Sequence, residues 1–346
     1  MKEVKKINKN NLIKKIFIKL CRILGYEIID QSAFYVPTQK KSLNENLSIP
    51  GKKSITIPMG EIKISRKVTA ISVIFRSCSG VNMLTQNKKR LFDKNKSEYT
   101  LRSFTSLILA LNHAKEFFPK VDFNIVVVDH ISEKKILNKM KNLLDKFNFK
   151  NSVISLNLSE FTSEINKTNA ENKQVTDNQM SNMSSIHKSL LISKDQCKDL
   201  IYFVEDDYIH QKETIKEMIF TYERISSIIN KELILCPIDY PYLYSKLDST
   251  NIFLGSSRHW RVVEETLCTF LTSKKMITDY WGKYTSMCKF EHYPFELPLH
   301  EIYKKEYCLS PIPSLAIHCT NINSVYGISP NVNWKKIWDE SESPED

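Results

Sequence analysis

Glycine is scarce in this sequence, at seven residues in 346, and the scarcity excludes a glycine-rich loop whose backbone amides could wrap a polyphosphate. The nearest approach, SCSGVNMLTQNKKR over residues 77–90, is basic but holds a single glycine. Long apolar runs are missing too: none nears the ~20 residues that cross a bilayer, and no leading apolar segment ends in a small-residue cleavage site. A cytoplasmic chain is therefore expected. The eight cysteines, Cys21, Cys78, Cys197, Cys236, Cys268, Cys288, Cys308 and Cys319, show no C-x-x-C spacing. That argues against a zinc knuckle or a disulfide framework and for reduced, mostly buried thiols. Sequons such as those at Asn157 and Asn182 then carry no glycosylation meaning. There is no internal repeat.

Apolar residues make up 42% of the chain and aromatic residues 10%, enough to bury a core in one large α/β domain or two smaller ones. The net charge of +11 is concentrated, because residues 1–67 hold 15 Lys/Arg against 5 Asp/Glu and the rest is nearly neutral. A basic tail on a neutral body argues against a nucleic-acid groove across the globular part. Within the tail, NLIKKIFIKLCRIL (11–24) places Leu12, Ile16, Leu20, Ile23 and Leu24 on one helical face, with Lys14, Lys15, Lys19 and Arg22 largely opposite. Such an amphipathic helix within residues 1–30 suits either an anionic lipid surface, at the inner face of the membrane, or its own domain. Residues 31–67, punctuated by Pro37, Pro50, Gly51, Pro58 and Gly60, read as a connector.

From residue 68 the pattern is regular. The runs VTAISVIF (68–75), FNIVVVD (123–129) and LIYFV (200–204) read as strands, the second of them buried, and SVISLNL (152–158) is a further strand candidate. Helical segments are expected from about Ser97 to Phe118, on to about Phe147, over 184–195 and over 211–229, with a polar loop at 163–185. Alternation at this spacing predicts βαβ units and a mostly parallel sheet flanked by helices. The second half is less regular, with strands expected at 232–239, 251–256, 266–273 and 314–319. The chain therefore divides into residues 68–210 and residues 211–346, two halves of one domain.

Parallel sheets bind ligands beyond the carboxyl ends of their strands. Three strands here end in polar groups: Arg76-Ser77-Cys78, Asp129-His130 and Glu205-Asp206-Asp207. Successive carboxylates after an apolar strand repel one another and lose hydration, a cost that a divalent cation removes. Glu205 and Asp207, two apart, share a side if strand geometry persists, so both could face Mg²⁺ or Mn²⁺. The competing reading is a solvated turn before the next helix.

The strand order, the YFVEDDYIH segment (202–210) and the late His318 together resemble the GT-A glycosyltransferases, particularly the soluble family-2-like enzymes. The similarity spans about residues 68–330. It implies a GT-A-like (Rossmann-like) α/β fold with a mixed acceptor-side half, and transfer of a sugar from a nucleotide-diphosphate donor to a glycan, a lipid-linked saccharide or a protein, with inversion. By the same resemblance Arg76, Ser77 and Asp129 hold the nucleoside. Glu205 and Asp207 take the places of the D-x-D carboxylates, with Asp206 between them facing the ribose or a buried basic group. His318 is the matching third metal ligand. Glu296 in YPFELPLHEIYKK matches the location of the family's catalytic base, although Leu297 stands where the family has a second acidic residue. Glu264, Glu265, Asp279 and Glu301 are rivals for that role.

The run Arg258-His259-Trp260-Arg261 offers two guanidinium groups and an aromatic plate, suited to gripping phosphate and stacking on a sugar, or else a basic turn. It is not the Q-x-x-R-W motif of processive synthases. Asn331, Asn333 and Trp334 either line the acceptor site or seal the domain. A strand-end carboxylate cluster also serves metal-dependent phosphohydrolases and nucleotidyltransferases, although the latter carry the glycine-rich loop that is missing here. A non-catalytic membrane-surface adaptor is the remaining alternative, favoured only by the basic N-terminus.

Overall fold

The structure, a computed structural model, describes residues 12–26, 28, 54–57, 60–80, 90–169, 171–245, 249–320 and 322–342. Most of the expected connector, and residues 81–89 of the basic loop, lie outside the described residues. Strands β1 (Ser54–Ile57) and β2 (Gly60–Lys63) pair antiparallel ahead of the main body.

The apolar runs of the first half become β3 (Ala70–Ser77), β4 (Asp122–Asp129), β5 (Lys150–Ser155) and β6 (Leu200–Glu205), all mutually parallel. All eight residues of β3 are buried. Its side chains alternate across the sheet: Ile71, Val73 and Phe75 join one core cluster and Ile74 the other. Each such fully buried side chain contributes about 1.5–3 kcal/mol relative to exposure. The first cluster packs helices α2 (Lys96–Phe117), α3 (Lys134–Lys146) and α5 (Thr214–Ile229) on one face. The second packs α4 (Asp177–Gln196), α7 (Trp281–Lys289) and α8 (Leu297–Tyr303) on the other. Helix α6 (Lys274–Asp279) precedes α7, and α9 (Trp334–Glu340) follows the last strand.

The sheet continues past residue 210 without a break. Its order is β5-β4-β3-β6-β11-β8-β12-β10-β9, with β8 (Ile234–Leu235), β9 (Ile252–Leu254), β10 (His259–Val262), β11 (Phe270–Ser273) and β12 (Cys308–Ile312) from the second half. Strand β11 runs antiparallel between β6 and β8, β12 is parallel to β8, and β10 is antiparallel to both β12 and β9. The fold is thus the α/β class expected, with a mostly parallel first half and a mixed second half. Strands β10 and β12 are absent from the sequence reading. The CLSPI run of β12 contains Pro311, which removes a ladder donor and masks the strand signal.

A second, two-stranded sheet pairs β7 (Tyr208–His210) antiparallel with β13 (Ala316–His318), in a register that sets His318 opposite Tyr208. Behind it His210 is buried, with Nε2 2.7 Å from the Tyr202 hydroxyl. Burial lowers its pKa to about 3, so the imidazole is neutral. All eight cysteines are free thiols and six are buried.

Gly255 stands where nothing larger fits. A Cβ on Gly255 would stand 2.2 Å from Glu217 Oε1 and 2.6 Å from Trp260 Nε1. Glu217 is fully buried and accepts from the Ser256 and Ser257 amides at 2.9 and 2.8 Å and from the Trp260 indole at 3.2 Å. These bonds tie the 255–257 turn to α5.

Helix α1 (Leu12–Ile23) forms as the periodicity predicts. Ile13, Ile16, Phe17, Leu20 and Ile23 on this helix are between 55% and 77% exposed. No helix among the described residues is long and apolar enough to cross a membrane.

Candidate active site

The parallel register aligns the three polar strand ends, with Arg76 opposite Glu205 and Ser77 opposite Asp129. They open into a cleft of about 460 Å³. Its lining includes Arg76, Ser77, Lys96, Glu205, Asp206, Asp207, Glu296, His318, Thr320 and Tyr326.

Strand geometry does not persist through the acidic cluster. β6 ends at Glu205, residues 206 and 207 form a turn, and the three carboxylates take three different partners. Glu205 accepts from Arg76 Nη2 at 2.7 Å. Burial raises its carboxyl above the usual range, with Arg76 opposing. Asp206 pairs with the Lys96 ammonium and accepts from the Thr100 hydroxyl at 2.9 Å and the Cys78 amide at 3.1 Å. Asp207 accepts from the Thr320 hydroxyl at 2.6 Å and lies 3.4 Å from His318 Nε2. Burial alone would raise the Asp207 carboxyl, but the His318 charge and hydrogen bond outweigh it and hold the group well below the usual carboxylate range.

His318 is fixed from both sides. The Tyr326 carbonyl, 3.0 Å from Nδ1, can only accept, so Nδ1 carries a proton. Thr320 has one hydroxyl proton, directed at Asp207, so its contact with His318 Nε2 at 2.9 Å requires a proton on Nε2 as well. The ring is then an imidazolium: burial lowers its pKa, but the charge and hydrogen bond of Asp207 outweigh burial and set the net value above the ordinary one. It stacks on Tyr208, with ring centroids 4.8 Å apart. The antiparallel pairing of β7 with β13 is what carries a histidine more than 100 residues downstream to the acidic turn.

These residues fit a hard divalent cation in part. Asp207 and His318 are adjacent, and an Nδ1–H bond to a carbonyl is the orientation that metal-ligating histidines use, with metal taking the place of the Nε2 proton. Glu205 is directed to Arg76 instead. Among the described residues no three His, Cys, Asp or Glu side chains form a group that could hold a metal ion.

The remaining expected residues separate. Ser77 lines the cleft and donates to Asp129 Oδ1 at 2.6 Å, which leaves Asp129 behind it, buried and outside the lining. Glu296 lines the cleft at the start of α8, 3.7 Å from Cys268 Sγ. The rivals Glu264, Glu265, Asp279 and Glu301 do not line it. Glu265 accepts from the Tyr326 hydroxyl, Asp279 pairs with Lys275, and Glu301 pairs with Lys283.

The Arg258–Arg261 run is a correction. Residues 259–261 lie in strand β10 with Trp260 and Arg261 buried, Arg258 stands in the bend before it, and none of the four lines the cleft. Trp260 is fully buried against Glu217, Arg261 forms a buried ion pair with Asp239, and Arg258 reaches Gln211 Oε1 at 3.4 Å. Trp334 packs on Phe92 with centroids 5.5 Å apart, and Asn333 caps α9, so this segment seals the domain. Asn331 adopts a positive φ of 56°.

Sequence reasoning missed several lining residues. Asn178, Ser181 and Asn182 sit on α4, which starts at Asp177 and not near 184. A capping box of Thr176 and Gln179 marks that start and could have found it. Asn182 Oδ1 and Ser185 Oγ accept from Arg76 at 2.9 and 3.0 Å. Lys96, which opens α2 after the N-cap Asn95, and Thr320 were likewise unassigned.

No protein-family model matches the chain, and no curated protein matches it. Solved structures similar to it include the bifunctional glycosyltransferase WbbM, at 9% identity and a TM-score of 0.35, covering 64% of this chain and 34% of that one. The chain thus spans about a third of WbbM. UDP-glucose pyrophosphorylase in complex with UDP-glucose is similar at 8% identity and a TM-score of 0.38, covering 78% and 96%. Mouse xyloside xylosyltransferase 1 is similar at 12% identity and a TM-score of 0.34, covering 68% and 76%. At these scores the likeness identifies neither a family nor an activity.

Proposed function

We propose that the protein is a glycosyltransferase that moves a sugar from a nucleotide-diphosphate donor to the hydroxyl of a glycan or lipid-linked acceptor. The observation that carries this reading is the convergence in one cleft of the three strand-end groups with His318 and Glu296. In this reading Arg76 and Ser77 hold the donor. The acceptor hydroxyl attacks the anomeric carbon, its proton passes to Glu296, and the bond to the nucleoside diphosphate breaks, so that the diphosphate leaves with the electron pair and the configuration inverts. Mn²⁺ or Mg²⁺ held by Asp207 and His318, joined by Glu205 only if that residue leaves Arg76, would neutralise the leaving group.

The test is a panel of nucleotide sugars incubated with the protein, with and without Mn²⁺. Slow Mn²⁺-dependent release of nucleoside diphosphate and free sugar from at least one donor is expected. Turnover of none would sink the reading. A metal-dependent nucleotidyltransferase is the second reading, favoured by the basic side chain of Lys96 reaching the cleft from the segment after the first sheet strand. Formation of a nucleoside triphosphate from nucleotide sugar and pyrophosphate would select it.

We further propose that α1 holds the protein at anionic membrane surfaces. Its exposed apolar residues lie beside Lys15, Lys19 and Arg22, and each basic residue near such a surface is worth about 1 kcal/mol. Co-sedimentation with vesicles containing phosphatidylserine should weaken in high salt and be lost on deletion of residues 1–30. Binding indifferent to lipid charge or to that deletion would refute this.

A further inference from the structure

Among the described residues Arg76, His318 and Lys96 bring positive charge to the cleft, and the first two are already committed to protein. Arg76 donates to Asn182, Ser185 and Glu205, and His318 is held between Tyr326, Thr320 and Asp207. Lys96 differs. Its ammonium has three protons, and among the described residues its one hydrogen-bond acceptor is Asp206. Its side chain is 16% exposed and lines the cleft.

Asp206 in turn is held by donors on two other elements, the Thr100 hydroxyl of α2 and the Cys78 amide beyond β3. A carboxylate fixed in this way gives the flexible lysine stem one position. A buried counter-ion for Asp206 needs only one ammonium proton, whereas the other two suit a ligand rich in charged oxygen acceptors. An ammonium is a compact point charge well matched to phosphate.

We propose that Lys96 is the cation that receives the diphosphate of the donor, and that Asp206 is the positioning residue that aims it. The identity of the ligand rests on the transferase reading above; the placement of Lys96 does not. A charge-assisted hydrogen bond of this kind is worth roughly a 10- to 100-fold change in affinity.

The experiment compares the binding of pyrophosphate, of UDP, GDP, CDP and ADP, and of the matching nucleosides by isothermal titration calorimetry. Lys96→Met should weaken pyrophosphate and the preferred nucleoside diphosphate roughly 10- to 100-fold while leaving nucleoside affinity unchanged. Lys96→Arg should restore most of the loss. If Lys96→Met does not fold, the double variant Lys96→Met/Asp206→Asn, which leaves no buried unpaired charge, is measured in its place and should show the same selective loss. Equal weakening of diphosphate and nucleoside would make Lys96 a counter-ion only, and unchanged diphosphate affinity would remove the inference. Failure of the wild-type protein to bind any of these probes would overturn the transferase reading itself.

Discussion

Asp207→Asn should reduce metal-dependent sugar transfer by roughly 10³-fold, and metal-dependent donor binding should fall with it. The substitution keeps the shape of the side chain, and its oxygen can still accept from Thr320, now 2.6 Å away. What it removes is the charge that faces His318 and would face a cation. A metal ion supplies several kcal/mol of stabilisation to the departing charge, and each 1.36 kcal/mol is tenfold in rate. Calorimetric titration of the donor with and without Mn²⁺, alongside turnover, separates the two effects. Retained Mn²⁺-dependent transfer would remove Asp207 from the centre of the mechanism. A variant that loses activity while the wild type proves indifferent to chelation would instead assign Asp207 a role without metal.

Glu296→Gln is expected to lower transfer by ~10²- to 10⁴-fold, the usual worth of a positioned general base, and to spare donor binding. The structure sharpens the comparison with its rivals. Glu265 is engaged by Tyr326, and Asp279 and Glu301 sit in ion pairs with Lys275 and Lys283 away from the cleft. Normal transfer by Glu296→Gln, with loss on changing Glu264, Glu265 or Asp279, would overturn the assignment.

The buried strands were legible because a parallel sheet covered on both faces writes itself as β-branched apolar runs, and the polar groups ending them mark its ligand edge. Their alignment follows from register, so Arg76 meeting Glu205 is a consequence of two readable strands. Long-range pairing was not legible. Nothing in the residues around Tyr208 says that they will pair with Ala316–His318, and nothing near Arg261 announces Asp239 as its partner. The misreading of Arg258–Arg261 has the same origin, since a run of His, Trp and Arg looks like surface until a fully buried Glu217 on a distant helix accepts the indole N–H. Lys96 was hidden among many other lysines in a segment whose periodicity marks only the start of a helix.

Strand β11 also governs how this chain can be divided. It lies antiparallel against β6, matching Phe270 to Phe203 and Ser273 to Leu200, so backbone groups behind the acidic turn are satisfied by residues from about seventy positions later. A fragment ending near residue 210 would present that strand as an open sheet margin with an apolar sequence, ready to pair with another copy. The strand-end side of the cleft is therefore not a transplantable module. A chimera would have to exchange residues 200–205 and 270–273 together, because the pairing of β6 with β11 joins the two halves in one sheet.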